Sequence, residues 1–187
     1  MRYCITGGIG AGKSFVCRRL EAHGISIYDC DNGAKRLLAT STELKDALKR
    51  LIGNDAYNED GSLNKAVVAK YLLASEEHKQ SINAIVHPAV MNDFYASGMQ
   101  WMESAILYEA HLEQYVDKVI AVYASADTRI GRIMQRDNIS YEKAKEWVEK
   151  QMDQRLVTER ADYVIINDND SDVDKQIKDL LSAINNE

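Results

Sequence analysis

The stretch Gly7-Gly8-Ile9-Gly10-Ala11-Gly12-Lys13-Ser14 decides the fold. It satisfies the pattern GxxxxGK[ST], and it lies between a predicted strand at Tyr3–Thr6 and a predicted helix that begins at Lys13 and ends near Gly24. Glycines there permit positive φ, so backbone N–H groups can face phosphate oxygens, and the helix N-terminus adds partial positive charge. The motif in this context predicts a phosphate-binding loop for a nucleoside triphosphate.

Two side chains of this loop have predictable tasks. We expect Lys13 to reach the β and γ phosphates of ATP, and the Ser14 hydroxyl to bind Mg²⁺, which keeps most of its waters and takes few protein oxygens. The alternative, a glycine-rich turn with a surface lysine, is disfavoured by the complete spacing and by both flanks. The predicted ATP contacts in the loop are Gly8, Ile9, Gly10, Ala11, Gly12, Lys13, Ser14 and Phe15.

The rest of the chain predicts an α/β fold with a mainly parallel, five-stranded sheet. Ile25–Tyr28 reads as a second strand, and strand, helix and strand in so few residues form a right-handed βαβ unit. Short apolar runs at Ser104–Tyr108, Lys118–Tyr123 and Tyr163–Ile166 predict the remaining core strands.

Helical patterns fill the segments between these strands. Ala34 to about Met102 is mostly helical, broken by a turn at Asn58–Gly61 and by Pro88. A charged helical pair covers Ser125–Asp137 and Ser140 to about Arg155, and Asp172 to about Ile184 closes the chain. We expect one domain over residues 1–187, with a core (about 1–33, 104–124 and 161–187), a helical insertion (about 34–103) and a lid (about 125–160).

Composition excludes several classes of protein. With 29 acidic and 23 basic residues, the net charge of −6 argues against a surface for nucleic acid or anionic lipid. No apolar run approaches the roughly 18 residues of a membrane span, and no secretory signal opens the sequence, so a cytoplasmic location is expected. Three cysteines without CxxC spacing predict neither a disulfide framework nor a zinc site, and small core residues are the favoured interpretation.

Asp29-Cys30-Asp31 follows the second predicted strand, at the sheet edge that carries the phosphate loop. A carboxylate there can orient an acceptor hydroxyl and take its proton, and Asp31 is the better candidate. The alternative is that the pair caps the next helix, because Asp is favoured at N-caps. For Asp29, capping or an indirect role in the metal shell is as plausible as catalysis.

Arg129, Arg132 and Arg136 lie three and four residues apart on a predicted helix, so they share one face. A closing lid that delivers such cations can stabilise a transferring phosphoryl group and exclude water. The alternative is a solvated helix face whose arginines pair with Asp137 or Glu142. For Arg129 neither interpretation is favoured.

The opening TGGIGAGKS and the later DCDxxAK resemble the TGGIGSGKS and DADxxAR of the dephospho-coenzyme A kinase family. The resemblance continues, in order, over nearly the whole chain. In the first half of the chain, Gly61–Lys65 resembles the family's DGxLNR segment and Val86–Pro88 resembles its HP motif. Ala105–Glu109 resembles its PLLFE strand, and Arg132–Arg136 resembles its RxxxR lid. Gln151 matches the lid glutamine, and Ala161–Asn167 resembles the ADxVIxN ending. Each later match is weak alone, but the ordered set is specific.

This resemblance implies a three-layer α/β/α P-loop kinase with a coenzyme-binding helical insertion and a helical lid. It would use ATP and Mg²⁺ to phosphorylate the ribose 3′-hydroxyl of dephospho-CoA, the final step of coenzyme A synthesis, as a monomer or weak homo-oligomer. The implied catalytic residues are Asp31, Lys13, Arg132 and Arg136, with Ser14 at the metal and Asn167 at the adenine. Implied contacts to the coenzyme are Asp29, Lys35, Lys65, His87 and Glu109.

The sequence departs from the family pattern at four of these positions. Ala105 replaces a proline, Lys35 and Lys65 replace arginines, and Phe15 replaces a threonine. A lysine keeps the charge at positions 35 and 65 but loses the bidentate fork that planar recognition of phosphate or carboxylate uses. Two further functions stay open: another small-molecule or nucleoside kinase of this fold, and a regulatory P-loop ATPase.

Overall fold

The computed structural model describes residues 1–186 and contains one five-stranded sheet. Its strands are β1 (Tyr3–Thr6), β2 (Ile27–Asp29), β3 (Trp101–Glu103), β4 (Lys118–Tyr123) and β5 (Tyr163–Ile166). Their spatial order is β2-β3-β1-β4-β5, and β1 pairs in parallel with both β3 and β4, as β4 does with β5. The predicted α/β class and parallel sheet are confirmed.

Nine α-helices lie among the described residues. They are α1 (Lys13–Glu21), α2 (Cys30–Thr40), α3 (Thr42–Ile52), α4 (Lys65–Ala74), α5 (Glu76–Ala96), α6 (Ala126–Asp137), α7 (Tyr141–Glu149), α8 (Gln154–Arg160) and α9 (Val173–Asn185). Most begin at a Ser, Asn or Asp whose side chain accepts a backbone N–H of the first turn, as Ser125 does for α6. Helix α1 begins instead at Gly12, which has no side chain to cap it.

The chain divides into two compact units, and the first comprises Met1–Tyr28 and the described chain from Met99 onward. Its core lies where α1 and α9 pack with the central strands. Ile5, Val16, Leu20, Ile120 and Ile177 are all fully buried there. The burial of both faces explains why these strands read as continuous apolar runs.

The second unit is Asp29–Gly98, and its α-helices are α2 to α5. Its long helix α5 packs against α2, α3 and α4. Arg36 of α2 pairs with Asp93 of α5. The expected break at Pro88 is wrong, because this proline lies inside α5. Its missing N–H removes a single hydrogen bond from a long helix that is held by packing on three neighbours.

Two other predicted boundaries are wrong. The third strand was expected at Ser104–Tyr108, but it is Trp101–Glu103, and the chain turns after it. The apolar run at Ser104–Tyr108 was a misleading signal for a strand, because Leu107 and Tyr108 are buried in turns rather than in the sheet. The helix expected from Ser140 to about Arg155 ends at Glu149, and α8 starts anew at Gln154 behind the cap residue Asp153.

All three cysteines are buried, in agreement with their expected role as core residues. Within residues 1–186, every helix is too short or too polar to cross a membrane.

Candidate active site

The phosphate loop turns between β1 and α1 as predicted. Gly10 and Gly12 have φ of 78° and 91°, a region that disfavours residues with a Cβ. A Cβ on Gly12 would also overlap the side-chain nitrogen of Asn167. Glycine is therefore required at position 12 by both its conformation and its surroundings.

The loop leaves a set of backbone donors open at the start of α1. Ala11 N–H donates to the Gly8 carbonyl, and the N–H groups of Phe15 and Val16 donate to the Gly12 carbonyl. Within residues 1–186, no acceptor faces the N–H groups of Gly10, Gly12, Lys13 and Ser14. Unsatisfied N–H groups at a helix N-terminus form an anion site, which is the property predicted for this loop.

Lys13 points toward a carboxylate that the sequence reasoning missed. Its Nζ lies 3.7 Å from Oε1 of Glu103, and the two side chains are only 11% and 19% exposed. Glu103 ends β3, the strand beside β1. The signal that could have found it is an acid at the carboxyl end of a core strand, which the misplaced third strand concealed.

Two of the three arginines predicted to share a face lie on the loop. Arg129 is buried, and its Nε donates to the Ile9 carbonyl at 2.8 Å. Arg132 donates from Nη1 to the carbonyls of Gly10 and Ala11, at 3.3 and 3.4 Å. Burial lowers the pKa of Arg129, but a guanidinium remains charged at neutral pH. Helix α6 therefore fixes two cations against the loop backbone.

Arg136 lies apart from this arrangement. Its guanidinium binds Asp137, with Nη2 2.7 Å from Oδ2, and its side chain is 58% exposed. This is the surface pairing considered as the alternative for the helix face. In the part of the chain that the structure describes, Asp137 is the polar partner of Arg136, so the loop contacts of the trio come from Arg129 and Arg132.

Asn167 follows β5 and is buried against the loop. Its Nδ2 donates to the Ala11 carbonyl at 2.8 Å, and its own carbonyl accepts from Nη2 of Arg132 at 2.8 Å. Its backbone N–H donates to Tyr123 at the end of β4. The ends of two neighbouring strands thus meet the loop at this asparagine.

Two glutamines of the lid segment also bind the loop. Gln151, singled out by its match to a family motif, accepts the Ile9 N–H at 2.6 Å. Gln154, which the sequence reasoning missed, accepts the Gly8 N–H at 2.9 Å and is 7% exposed. A glutamine at the start of a helix carries no signal of such a contact.

The other predicted residues near the sheet edge are placed by β2, β3 and their following segments. Asp29 caps α2 by accepting the Asn32 N–H at 2.8 Å, which confirms the capping interaction considered for it. Asp31 is exposed in the first turn of α2, without a polar partner among residues 1–186. Glu109 is exposed in the turns after β3, and its Oε1 accepts the Met152 N–H at 3.4 Å.

The remaining predicted coenzyme contacts all lie in the helical unit. Lys35 is exposed on α2, Lys65 is exposed at the start of α4, and His87 is half-buried in the middle of α5. Burial lowers the pKa of His87, which favours its neutral form. No hydrogen bond or ion pair joins these three side chains to one another in the described chain.

A cavity of about 470 Å³ opens beside the lid segment, lined in part by Arg129, Gln151 and Gln154. Two further lining residues, Asp153 and Arg155, bind each other through Oδ2 and Nη2 at 2.7 Å. Glu149 adds a negative charge to offset Arg129. The charges of Arg129, Glu149, Asp153 and Arg155 cancel, so the cavity has no excess of cations.

The described residues contain no cluster of three or more His, Cys, Asp or Glu side chains arranged for a metal. Magnesium needs no such cluster, because it keeps several waters and bridges phosphates through one or two protein oxygens. The hydroxyl of Ser14, which follows Lys13 in sequence, and the carboxylate of Glu103, which pairs with Lys13, are oxygen ligands of the kind that this ion prefers.

Comparison with known proteins gives a consistent result. The family model for dephospho-CoA kinase matches residues 2–173. The dephospho-CoA kinase of Bacteroides fragilis is 38% identical to this chain, and the match covers 96% of this chain and 91% of the relative. The dephospho-CoA kinase of Salinibacter ruber is 34% identical, and the match covers 88% of this chain and 87% of the relative.

Solved structures share the fold over nearly the whole chain. A Thermus thermophilus protein matches with a TM-score of 0.80 and 25% identity, covering 100% of this chain and 97% of its own. The dephospho-CoA kinase of Campylobacter jejuni has a TM-score of 0.65 at 20% identity, covering 98% and 96%. A shikimate kinase from Acinetobacter baumannii has a TM-score of 0.59 at 18% identity, covering 100% and 94%. The α/β kinase fold predicted from the sequence is thereby confirmed.

Proposed function

The chain belongs to the dephospho-CoA kinase family, and from this premise we propose how its residues carry out the reaction. It is a kinase that phosphorylates dephospho-CoA with ATP in coenzyme A biosynthesis. The phosphoryl group goes to the ribose 3′-hydroxyl, which makes this the final step. The observation that carries the proposal is the loop with open N–H groups at Gly10, Gly12, Lys13 and Ser14, in a chain whose family is dephospho-CoA kinase.

The donor ATP binds at the loop from Gly8 to Phe15. The open N–H groups hold the phosphate oxygens, and Lys13 exchanges its partner Glu103 for the β and γ phosphates. Asn167 lies at the loop beside Ala11 and contributes to the adenine side of the site. Its buried position next to the phosphate loop supports this role.

Magnesium would be held by Ser14, with Glu103 bound through the ion's water molecules. When bound, this ion neutralises the charge that develops on the phosphate oxygens. The protein's own part is to supply a hydroxyl at the residue after Lys13 and a carboxylate oxygen 3.7 Å from Lys13 Nζ. That two-oxygen arrangement supports the expected use of Mg²⁺.

The acceptor hydroxyl is oriented by Asp31, which takes its proton as the new bond to phosphorus forms. The position of Asp31, exposed and two residues after β2, supports this role. The other proposed contacts to the coenzyme come from the helical unit and the turn after β3: Asp29, Lys35, Lys65, His87 and Glu109. Asp29 combines this with its capping of α2.

Arg132 and Arg136 supply positive charge to the transferring phosphoryl group. Arg132 acts from its place on the loop, whereas Arg136 must leave Asp137 and approach when the lid closes. We further propose that the enzyme works in the cytoplasm on a small-molecule substrate, without nucleic acid or membrane, as a monomer or weak homo-oligomer.

The test is ADP production from ATP, with and without Mg²⁺, in the presence of dephospho-CoA, adenosine, AMP or shikimate. Turnover stimulated only by dephospho-CoA, with coenzyme A as the product, supports the proposal. Turnover with a different acceptor favours another small-molecule or nucleoside kinase. Slow ATP hydrolysis that no acceptor stimulates favours a regulatory P-loop ATPase.

A further inference from the structure

The first half of the phosphate loop is held by side chains that come from far along the sequence. Gly8 N–H donates to Oε1 of Gln154 at 2.9 Å, and Ile9 N–H donates to Oε1 of Gln151 at 2.6 Å. The two glutamines lie three residues apart: Gln151 lies between α7 and α8, and Gln154 is the first residue of α8. Consecutive loop amides are therefore matched by two carbonyls of a single short segment.

These contacts satisfy donors that solvent reaches poorly. Gly8 is buried, and Gln154 is 7% exposed. A buried N–H that loses its acceptor destabilises the conformation that buries it, so the loop in this conformation depends on Gln154.

Gln151 extends the same contact to α6. Its Oε1 also accepts from Nη2 of Arg129 at 3.1 Å, while Nε of Arg129 donates to the Ile9 carbonyl at 2.8 Å. Both polar atoms of the Ile9 backbone are thus bound, one by Gln151 and one by Arg129. This fixes the orientation of the loop at Ile9.

The glutamines and the expected phosphates use different donors. Gly8 and Ile9 face the glutamines, whereas the N–H groups of Gly10, Gly12, Lys13 and Ser14 lack acceptors in the described chain. The glutamines therefore leave the N–H groups that are expected to bind phosphate unoccupied. A side chain that fixes one half of a loop without filling the other half preorganises it for a ligand.

We propose that Gln151 and Gln154 are positioning residues for the nucleotide: they hold the first half of the phosphate loop so that its second half is preformed for phosphates. This rests on the proposed function, because it takes the loop as the ATP site. It assigns to Gln154 a role in nucleotide affinity and none in recognition of the acceptor.

The test replaces Gln154 by methionine, which keeps the length of the side chain and removes the acceptor. We expect ADP to bind roughly fivefold to tenfold more weakly to the folded variant, the ratio that corresponds to one lost hydrogen bond. The KM for ATP should rise by the same factor, while the KM for dephospho-CoA and kcat stay within about twofold. In nucleotide-free protein, amide hydrogen exchange at Gly8 should become faster.

Gln114→Met is the matched control, because Gln114 is exposed and donates to the His111 carbonyl away from the loop. It should leave ADP binding unchanged. If Gln154→Met does not fold, two variants replace it: Gln154→Asn, which shortens the side chain and withdraws its acceptor from Gly8, and Gln151→Met, which removes the acceptor of Ile9 at a less buried position. Both should weaken ADP binding.

Three results would overturn the proposal. Unchanged ADP affinity in folded Gln154 variants would show that the contact does not prepare the loop. Tighter ADP binding would show that the glutamines compete with the phosphates. Equal increases in both KM values would indicate a general structural effect. Failure of the wild-type protein to bind ADP would refute the proposed function as well, so the two failures are distinguishable.

Discussion

Nζ of Lys13 lies 3.7 Å from Oε1 of Glu103, so the loop lysine and the acid at the end of β3 form an ion pair that is mostly hidden from solvent. Because water screens it little, the pair neutralises Lys13 in the nucleotide-free protein more effectively than a surface pair would. ATP supplies a stronger set of negative charges to Lys13. In the proposed mechanism the Glu103 carboxylate would then be available to a hydrated magnesium ion.

Replacing Glu103 by glutamine should separate its pairing with Lys13 from its proposed role toward magnesium. Gln keeps a polar partner for Lys13 but removes the negative charge that a hydrated Mg²⁺ prefers. We expect kcat to fall roughly 10-fold to 100-fold, and half-maximal activity to require more Mg²⁺, with metal-free ADP binding preserved. The measurement is kcat against Mg²⁺ concentration. Asp174→Asn, which removes an exposed partner of Arg19, is the control, and an unaltered Mg²⁺ dependence in Glu103→Gln would contradict this role.

Asp31→Asn tests the proton acceptor. The amide can still bind the acceptor hydroxyl but cannot take its proton, so phosphoryl transfer should fall at least about 100-fold. ADP binding should stay near that of the wild type, because the proposed role of Asp31 is toward the acceptor hydroxyl and not toward the nucleotide. Both are measured on the same preparation, beside Asp46→Asn at another exposed site of the helical unit. A variant that kept its full rate would exclude Asp31 as the base.

The loop and the strand before it could be predicted because their signals are local. Residues 3–21 combine a short apolar strand, glycines at fixed spacing and a helix, so sequence spacing alone specifies the geometry. The third strand could not be placed in this way, because Trp101–Glu103 is three residues long and shows no alternation. The apolar run after it, at residues 105–108, gave the stronger but misleading pattern.

The support of the loop is harder to predict than the loop itself. Gln154 and Gly8 are 146 residues apart in sequence, and Arg129 and Ile9 are 120 apart. Spacing patterns report neighbours on one helix or strand, and they say nothing about which distant side chain meets a backbone amide. The one-faced arginines were predictable from helix geometry, but their separation into loop-bound and exposed members depends on tertiary packing.

The two predicted lid cations should respond differently to truncation. Arg132→Ala removes donors to the carbonyls of Gly10, Ala11 and Asn167, so it should weaken ADP binding roughly tenfold and lower the Tm. Arg136→Ala should lower kcat at least about tenfold. Arg136→Ala should leave the Tm nearly unchanged, because the exposed ion pair between Arg136 and Asp137 contributes little to stability. If Arg136→Ala retained full kcat, the interpretation as a solvated helix face would be correct.

Gly12→Ala should disable the loop. The added Cβ requires the disfavoured φ of 91° and overlaps the Asn167 side chain, which in turn holds Ala11. We expect ADP binding to fall below detection, together with a loss of about 1–3 kcal/mol in the free energy of unfolding. Gly131→Ala is the matched control, since nothing lies within 4 Å of its Cβ position in the middle of α6. That change should stabilise the protein by up to about 1 kcal/mol. Normal ADP binding by Gly12→Ala would contradict the geometry of the loop.

The lowered pKa of His87 predicts that the protein loses stability in mild acid. Burial lowers its pKa in the folded protein below the ordinary value of 6.5, so below that pH the unfolded chain binds a proton that the folded chain resists. The unfolded state then holds more protons, and the free energy of unfolding falls as pH falls from 6.5 toward the pKa of the folded state. Above 6.5 both states are neutral at this site and the contribution is constant. His87→Gln removes the titrating group, so urea unfolding between about pH 7.5 and about pH 5.5 should show a shallower loss than in the wild type. Equal slopes in the two proteins would mean that His87 accepts its proton as readily in α5 as in the unfolded chain.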